Sequence, residues 1–323
     1  MPKRALICGI SGQDGTYLAE LLLGKGYEVV GSSRDAARAD FRNLAGRGLR
    51  ERVRLVSMNL TDFRNVTQVL ADVLPDEIYN LAGQSSVALS FEQHIDTFNS
   101  ITVAALNLLE ALRFAARPVR LYNACSSECF GDTGDAAADE SAPFRPSSPY
   151  GTARAAAFWA VANYRQAYGL HACSGILFNH ESPLRPERFV TRKIVSAARR
   201  IAQGGKERLH LGTLSIVRDW GWAPEYVEAM WRMVQQDAPR DYVVATGEAH
   251  SLEEFVAEIF GALGLDWHAH VDFDKSLVRP ADPRAVRGNP RRIAEELGWK
   301  AQTRLPALVR KLLEGNQGQT TIS

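Results

Sequence analysis

Arg4-Ala5-Leu6-Ile7-Cys8-Gly9-Ile10-Ser11-Gly12-Gln13-Asp14-Gly15 decides how this chain folds. Arg4 to Cys8 is a short apolar run without polar alternation, the pattern of a strand buried on both faces. Residues Thr16 to Leu23 then carry apolar positions at helical spacing, and Gly26 follows as a stop. Between strand and helix lie glycines spaced GxxGxxG, where the widely used dinucleotide fingerprint is GxGxxG. Glycines permit tight turning and close backbone approach, and a helix start offers free N–H groups and a positive dipole end to a pyrophosphate. A glycine turn that merely joins two elements is the alternative. The position between a strand and a helix favours a cofactor loop made by Gly9, Gly12, Gln13, Asp14 and Gly15.

Outward from that loop the pattern repeats. Strands are predicted at Glu28 to Gly31, Val53 to Ser57, Glu77 to Ala82, Arg120 to Ala124 and His171 to Phe178. Helices are predicted at Phe63 to Leu74, closed by Pro75, at Asn99 to Phe114, and after the turn that begins at Pro146. This alternation predicts an α/β fold, a doubly wound parallel sheet. The second half is less regular. A basic helix at Val190 to Gln203 and an amphipathic one at Leu252 to Leu263 stand out, and Arg279 to Pro290 is polar and irregular. Without a flexible joint, a smaller C-terminal substrate domain is expected to interleave with the first. The expected division is 1–176 plus about 215–247 for the cofactor, about 177–214 plus 248–314 for the substrate, and a frayed tail over 315–323.

Composition narrows the function. The 323 residues hold 38 Lys and Arg against 37 Asp and Glu, a net charge of +1, with 46% hydrophobic residues. Neither a nucleic-acid partner nor an acidic membrane surface is expected from that balance. No apolar stretch reaches the length of a membrane span, and the first residues do not read as a secretory signal. Four cysteines (Cys8, Cys125, Cys129 and Cys173) are too few for a disulfide scaffold and form no CxxC pair, so no metal site is expected. A reduced, cytoplasmic protein is the expectation.

Three further places carry chemistry. The second strand ends in Ser32-Ser33-Arg34-Asp35, where an acidic residue suits an adenosine ribose and an Arg suits a 2′-phosphate. Ser33 and Arg34 favour NADP over NAD, with Asp35 and a merely solvated Arg34 as the counterweights. Ser147-Ser148-Pro149-Tyr150 opens a helix with a capping serine and a proline at the first helical position. Tyr150 and Arg154 share one helix face. A cation there would stabilise a phenolate, so that Tyr150 exchanges protons with a substrate hydroxyl. Cys125-Ser126-Ser127-Glu128 follows a strand, at the end of the sheet where ligands bind. Ser126 there can hydrogen-bond the same hydroxyl, and Glu128 is either a carbon-acid base or a capping carboxylate.

With these residues in view, the chain resembles the extended short-chain dehydrogenase/reductase superfamily and, within it, the GDP-mannose 4,6-dehydratase family. The resemblance runs from residue 4 to about residue 312. It rests on Gln13-Asp14-Gly15-Thr16-Tyr17-Leu18-Ala19, Tyr79-Asn80-Leu81-Ala82-Gly83-Gln84-Ser85, Ser126-Ser127-Glu128, Ser148-Pro149-Tyr150, Arg218-Asp219-Trp220-Gly221 and Leu297-Gly298-Trp299. The run Asn179-His180-Glu181-Ser182-Pro183-Leu184-Arg185 is the most specific part. The resemblance implies an NADP that stays bound and is recycled. It implies that Tyr150 takes the O4 proton while C4 gives up hydride, that Glu128 removes the C5 proton, and that water leaves from C6. It places Ser33, Arg34, Asn59, Asp62, Leu81, Ala82, Tyr150 and Arg154 at the cofactor. It places Gln84, Ser85, Ser127, Asn179, Glu181, Arg185, Val190, Lys193, Arg218, Arg279 and Asp282 at the GDP-sugar. It also implies a homodimer through helices near 99–114 and 150–168, or a homotetramer in which the loop from Arg34 to Asn43 reaches a neighbour.

The chain departs from the family pattern at several positions. Arg154 stands where the family has Lys, Ser126 where it has Thr, Asn59 where it has Asp, and Asp282 where it has Glu. Thr213 and Val217 replace the family's Asn and a polar or charged residue. Two rival readings therefore accompany the dehydratase: another nucleotide-sugar enzyme on the same scaffold, and a nucleotide-binding homologue impaired by Arg154.

Overall fold

A computed structural model describes residues 2–315; of the tail expected over 315–323, residues 316–323 lie outside the described residues. The first half alternates as β1 (Arg4–Cys8), α1 (Gln13–Gly24), β2 (Glu28–Ser33), α2 (Arg42–Gly46), β3 (Arg54–Ser57), α3 (Phe63–Val73) and β4 (Glu77–Asn80). Two short helices, α4 (Val87–Ser90) and α5 (His94–Phe98), lead through a π-helical segment, Asn99–Val103, into α6 (Ala104–Arg113). Then come β5 (Arg120–Ser126), the 20-residue α7 (Pro149–Tyr168) and β6 (Ala172–Leu177). The second half contains β7 (Asn179–Glu181), α8 (Val190–Ala202), β8 (Leu209–Leu211), β9 (Val217–Trp222), α9 (Ala223–Gln235), β10 (Tyr242–Val244), β11 (Ala249–Ser251) and α10 (Leu252–Ala262). It closes with β12 (Val271–Phe273), β13 (Ala285–Val286), α11 (Arg291–Leu297) and α12 (Leu305–Glu314).

Seven parallel strands form the main sheet in the order β3-β2-β1-β4-β5-β6-β10. Strand order reverses between β1 and β4, which makes the carboxyl ends of those two strands the place for a ligand. Alternate residues feed the two sheet faces. Ala5, Ile7, Tyr79 and Tyr122 pack with α1 and α9, whereas Leu6, Cys8, Ile78 and Leu121 pack with α3 and α6.

A second core lies among α8, α10 and α12, with Ile194, Phe255, Phe260 and Leu308 fully buried. Its strands pair separately: β9 lies between β11 and β13 and also takes β7, while β8 pairs with β12. The sequence pattern did not announce this second sheet, because each of its strands other than β9 is two or three residues long. The stretch read as irregular, Arg279 to Pro290, holds β13, and the helix expected from Asn99 begins with a π-helical segment instead of an α turn.

The long α7 starts as its sequence dictates. Ser148 accepts a hydrogen bond from the Gly151 N–H at 3.0 Å, Pro149 occupies the first turn, and Gly169 ends the helix at φ +66°.

Candidate active site

The glycine loop sits at the reversal of strand order. Gly9 has φ +84°, and a Cβ there would lie 3.0 Å from the Ala82 nitrogen and 3.1 Å from the Leu81 carbonyl carbon. Leu81 in turn donates its N–H to the Cys8 carbonyl at 3.0 Å, so the loops after β1 and β4 meet backbone to backbone. A Cβ on Gly15 would fall 2.5 Å from the Gly9 carbonyl oxygen, which presses the first turn of α1 onto the loop. Gly12 caps that helix with no side-chain hydrogen bond, leaving the N–H groups of its first turn to a ligand. A pyrophosphate fits such a cradle.

At the end of β2, Ser33 is half-buried and Arg34 exposed. Asp35 is occupied by its own turn, accepting from the Ala37 N–H at 3.0 Å and the Arg38 N–H at 3.2 Å. Asn59 and Asp62 follow β3 on the surface. The Asn59 side chain accepts from Thr61, and Asp62 caps α3.

The reactive groups gather beyond β5. Ser126 ends the strand, and a single helical turn, Ser127–Cys129, follows; the Ser126 hydroxyl accepts from the Glu128 N–H at 3.3 Å. A Cβ on Gly151 would lie 2.6 Å from the Glu128 carbonyl oxygen, so α7 and this turn touch, and Tyr150 stands beside them. Arg154 is 5% exposed. It donates through Nε to the Tyr150 hydroxyl at 3.3 Å and through Nη1 to the Ala124 carbonyl at 2.8 Å. A fixed cation on the phenol oxygen is what proton removal from a substrate hydroxyl requires.

Glu128 is 7% exposed, and its Oε2 is buried without a hydrogen-bond partner. Burial raises its pKa above the ordinary carboxylate value, against the pull of Arg218 and Arg279 and with some help from Asp282. Those three form one group: Asp282 Oδ1 lies 2.7 Å from Arg218 Nη2 and 3.4 Å from Arg279 Nη1. Arg218 also donates to the Pro283 carbonyl at 2.9 Å, so its fork is held in place.

The strand β7 joins this region to the glycine loop. Glu181 accepts from Thr191 Oγ1 at 2.7 Å and lies 3.4 Å from Arg185 Nε, while the Arg185 guanidinium stacks on the Phe189 ring. His180 was not singled out from the sequence. Its Nδ1 faces the Phe178 carbonyl at 2.7 Å and its Nε2 faces Asp14 Oδ2 at 2.9 Å. Both ring nitrogens face acceptors, an arrangement that favours the doubly protonated ring. Burial works against that charge, but Asp14 outweighs it and His180 is raised; Asp14 is lowered, burial again being outweighed by its partner. Gln13 adds a bond from Nε2 to the His180 carbonyl and accepts from Ser182 Oγ at 2.7 Å. Period-two alternation along Asn179-His180-Glu181 was the available signal, since it turns the imidazole to the side opposite its neighbours.

Other expected substrate residues are more dispersed. Gln84 is bonded within its own loop to Ser86 and to Thr97, Ser85 is exposed and Ser127 buried. Lys193 donates to the His210 carbonyl at 2.7 Å, and Val190 packs against the second core. Among the described residues, no three His, Cys, Asp or Glu side chains converge on a metal position, and no helix is long and apolar enough to cross a membrane.

A glycine cradle at a reversed parallel sheet, with Ser126, Tyr150 and the buried cation of Arg154 beyond it, is the arrangement of the short-chain dehydrogenase/reductase class. The solved structure of UDP-glucose 4-epimerase from Thermus thermophilus, complexed with NAD, superimposes with a TM-score of 0.85 at 25% identity, over 98% of this chain and 99% of that one. The NADPH complex of RMD from Pseudomonas aeruginosa shares the fold at a TM-score of 0.79 and 22% identity, over 97% and 98% of the two chains. The family model described as GDP-mannose 4,6 dehydratase matches residues 6–312. GDP-mannose 4,6 dehydratase 2 of Arabidopsis thaliana is 46% identical over 97% of this chain and 86% of its own. The GDP-mannose 4,6-dehydratase of Vibrio cholerae is 39% identical over 98% and 94%. The chain belongs to the GDP-mannose 4,6-dehydratase family.

Proposed function

We propose that this protein is a lyase that converts GDP-mannose to GDP-4-keto-6-deoxymannose, with NADP as its resident cofactor. The observation that carries the reading is Glu128: a buried carboxyl with an orphaned oxygen, one turn from Ser126 and in backbone contact with the helix of Tyr150. Simple oxidation or epimerisation at C4 has no use for it, whereas loss of water from C5 and C6 needs a base of its own.

Hydride acceptance and return is the chemistry that a nicotinamide held at the cradle of Gly9, Gly12 and Gly15 would supply. The chain supplies the rest. Tyr150 receives the O4 proton, and Arg154, fixed on the Ala124 carbonyl, holds a positive charge on the phenol oxygen. Ser126 fixes the same hydroxyl. Glu128 takes the C5 proton and, protonated, gives a proton to the departing C6 hydroxyl; a pKa raised by burial suits a group that must do both. Arg218 and Arg279, aligned by Asp282, offer forks to the diphosphate. Arg185, Glu181, Asn179 and Lys193 line the approach to the nucleotide.

The choice of NADP rests on Arg34, which is exposed at the end of β2 while Asp35 is taken up by its own turn. The two cores support a division into a cofactor part and a nucleotide-sugar part, with β7 and β9 at the seam. Exposed Ile95, Leu106, Phe114 and Trp159 on and beside α6 and α7 support a homodimer through that helix pair. Four buried free thiols support a reducing, cytoplasmic setting. The test is incubation with GDP-mannose and NADP⁺. The sugar nucleotide should lose the mass of one water while NADP⁺ is not consumed; an unchanged mass refutes the assignment.

A further inference from the structure

Two thiols that this chemistry does not use lie between its two reactive elements. Cys125 precedes Ser126 in β5, and Cys129 follows Glu128 in the next turn. Their sulfurs are 3.4 Å apart. Each also faces the helix of Tyr150 and Arg154: Cys129 Sγ lies 3.5 Å from the Gly151 carbonyl oxygen and Cys125 Sγ lies 3.9 Å from that of Arg154. The other two cysteines, Cys8 and Cys173, are buried in the main sheet, on β1 and β6.

We infer that Cys125 and Cys129 are a modification site, a thiol pair that a peroxide converts to a disulfide and thereby switches the dehydratase site off. The inference rests on the assignment of Ser126, Glu128, Tyr150 and Arg154 as the reactive set. A disulfide needs its sulfurs about 2.05 Å apart, so closing the gap draws the turn that carries Glu128 toward β5. The turn rests against α7 at Gly151, so that movement shifts Glu128 relative to the helix of Tyr150. A displacement of about 1 Å at a positioned group is enough to cost a large factor in rate.

The chemistry balances in two steps. Cys125, which adjoins Ser126 at the end of β5, takes one oxygen from hydrogen peroxide to become a sulfenic acid, and one water is released. Cys129 then displaces that hydroxyl, losing its proton, and a second water leaves as the S–S bond forms. Burial holds the Cys129 thiol well above the ordinary thiol value, which keeps the pair reduced until an oxidant has already reacted at Cys125. A dithiol reductant reverses the process by exchange.

The experiment treats the full chain, fully reduced, with hydrogen peroxide and follows three readouts: the mass of the peptide carrying both residues, turnover of GDP-mannose, and affinity for NADP⁺. The expected result is loss of two hydrogens from that peptide and a fall in turnover of roughly tenfold or more, both restored by dithiothreitol. Cys129→Ala should turn over as the reduced parent does and show neither the loss of two hydrogens nor a loss of turnover that dithiothreitol restores, while Cys173→Ala should show both as the parent does. Turnover that falls while the peptide keeps both hydrogens overturns the inference, as does a disulfide that leaves turnover unchanged. If Cys129→Ala does not fold, the mass and its reversal in the unaltered chain decide alone. Absence of turnover in the reduced protein would instead count against the proposed reaction, because the disulfide is still read from the peptide mass and the cofactor affinity.

Discussion

Replacing Gly15 with alanine places a methyl carbon 2.5 Å from the Gly9 carbonyl oxygen and 2.6 Å from the Ile10 Cα, where ordinary contact begins at 3.4 Å. Both neighbours are backbone, so neither can swing aside, and the first turn of α1 must retreat by almost an ångström. Overpacking of this kind costs about 1–3 kcal/mol. At about 2–4 °C per kcal/mol for domains somewhat smaller than this one, the apparent Tm should fall by several degrees. The same retreat moves the free N–H groups off the pyrophosphate position, and each 1.4 kcal/mol lost there weakens the cofactor about tenfold. Gly24 supplies an internal control: it ends the same helix, and a Cβ there meets nothing within 4 Å. Thermal unfolding with and without NADP⁺, followed by a binding titration, separates the two effects. Gly15→Ala should lose both stability and most of the cofactor-induced rise in Tm, and Gly24→Ala should lose neither. A Gly15→Ala protein that binds NADP⁺ as the parent does would refute the placement of the cofactor on this helix start.

Other outcomes follow from single contacts. Arg154→Met removes the donors to Tyr150 and to the Ala124 carbonyl. With charged hydrogen bonds contributing about 1.5–3 kcal/mol, kcat should fall about tenfold to a hundredfold with little change in KM, and Arg154→Lys should recover most of it; a raised KM with intact kcat would make Arg154 a binding group. Arg34→Ala should weaken NADP⁺ by about tenfold and leave NAD⁺ untouched, which paired titrations would read; equal weakening of both would remove Arg34 from cofactor choice. The Asp14–His180 pair makes stability depend on pH in two directions. The His180 pKa is raised, so its contribution is full below the unfolded value of about 6.5 and is lost as pH rises through the folded one. The Asp14 pKa is lowered, so its contribution is full above the unfolded value of about 3.9 and is lost as pH falls through the folded one. Urea unfolding of His180→Phe should show a flatter alkaline slope than the parent, and identical profiles would refute the charged imidazole.

How legible the fold was depended on how local its causes are. The run from Arg4 to Gly15 sets strand, loop and helix through neighbouring residues alone, and the structure has β1 and α1 there. Serine, proline and glycine likewise mark both ends of α7. Tyr242–Val244 gave no such signal: three residues become the seventh strand of the sheet only because β6 lies beside them. The same holds for β9, whose partners come from residues 179–181, 249–251 and 285–286. In the site, Tyr150 and Arg154 could be paired from helical spacing. The grouping of Glu128 with Arg218, Arg279 and Asp282 could not, since it brings together residues from three distant parts of the chain. His180 escaped notice because its partner, Asp14, is 166 positions away.

The proposed role of Glu128 as the base at C5 is what makes this a dehydratase. It is tested most directly by running the reaction in heavy water with GDP-mannose and NADP⁺, using the unaltered chain and Glu128→Gln. The base must be unprotonated to act, so turnover of the unaltered chain should rise with pH through a pKa above the ordinary glutamate value. Its product should have lost one water and carry solvent deuterium at C5. Glu128→Gln keeps the shape but cannot take the proton, and water loss should drop by about 10²–10⁴ with NADP⁺ binding unchanged. A Glu128→Gln protein that still dehydrates the sugar at the parent rate, with deuterium at C5, would contradict the account.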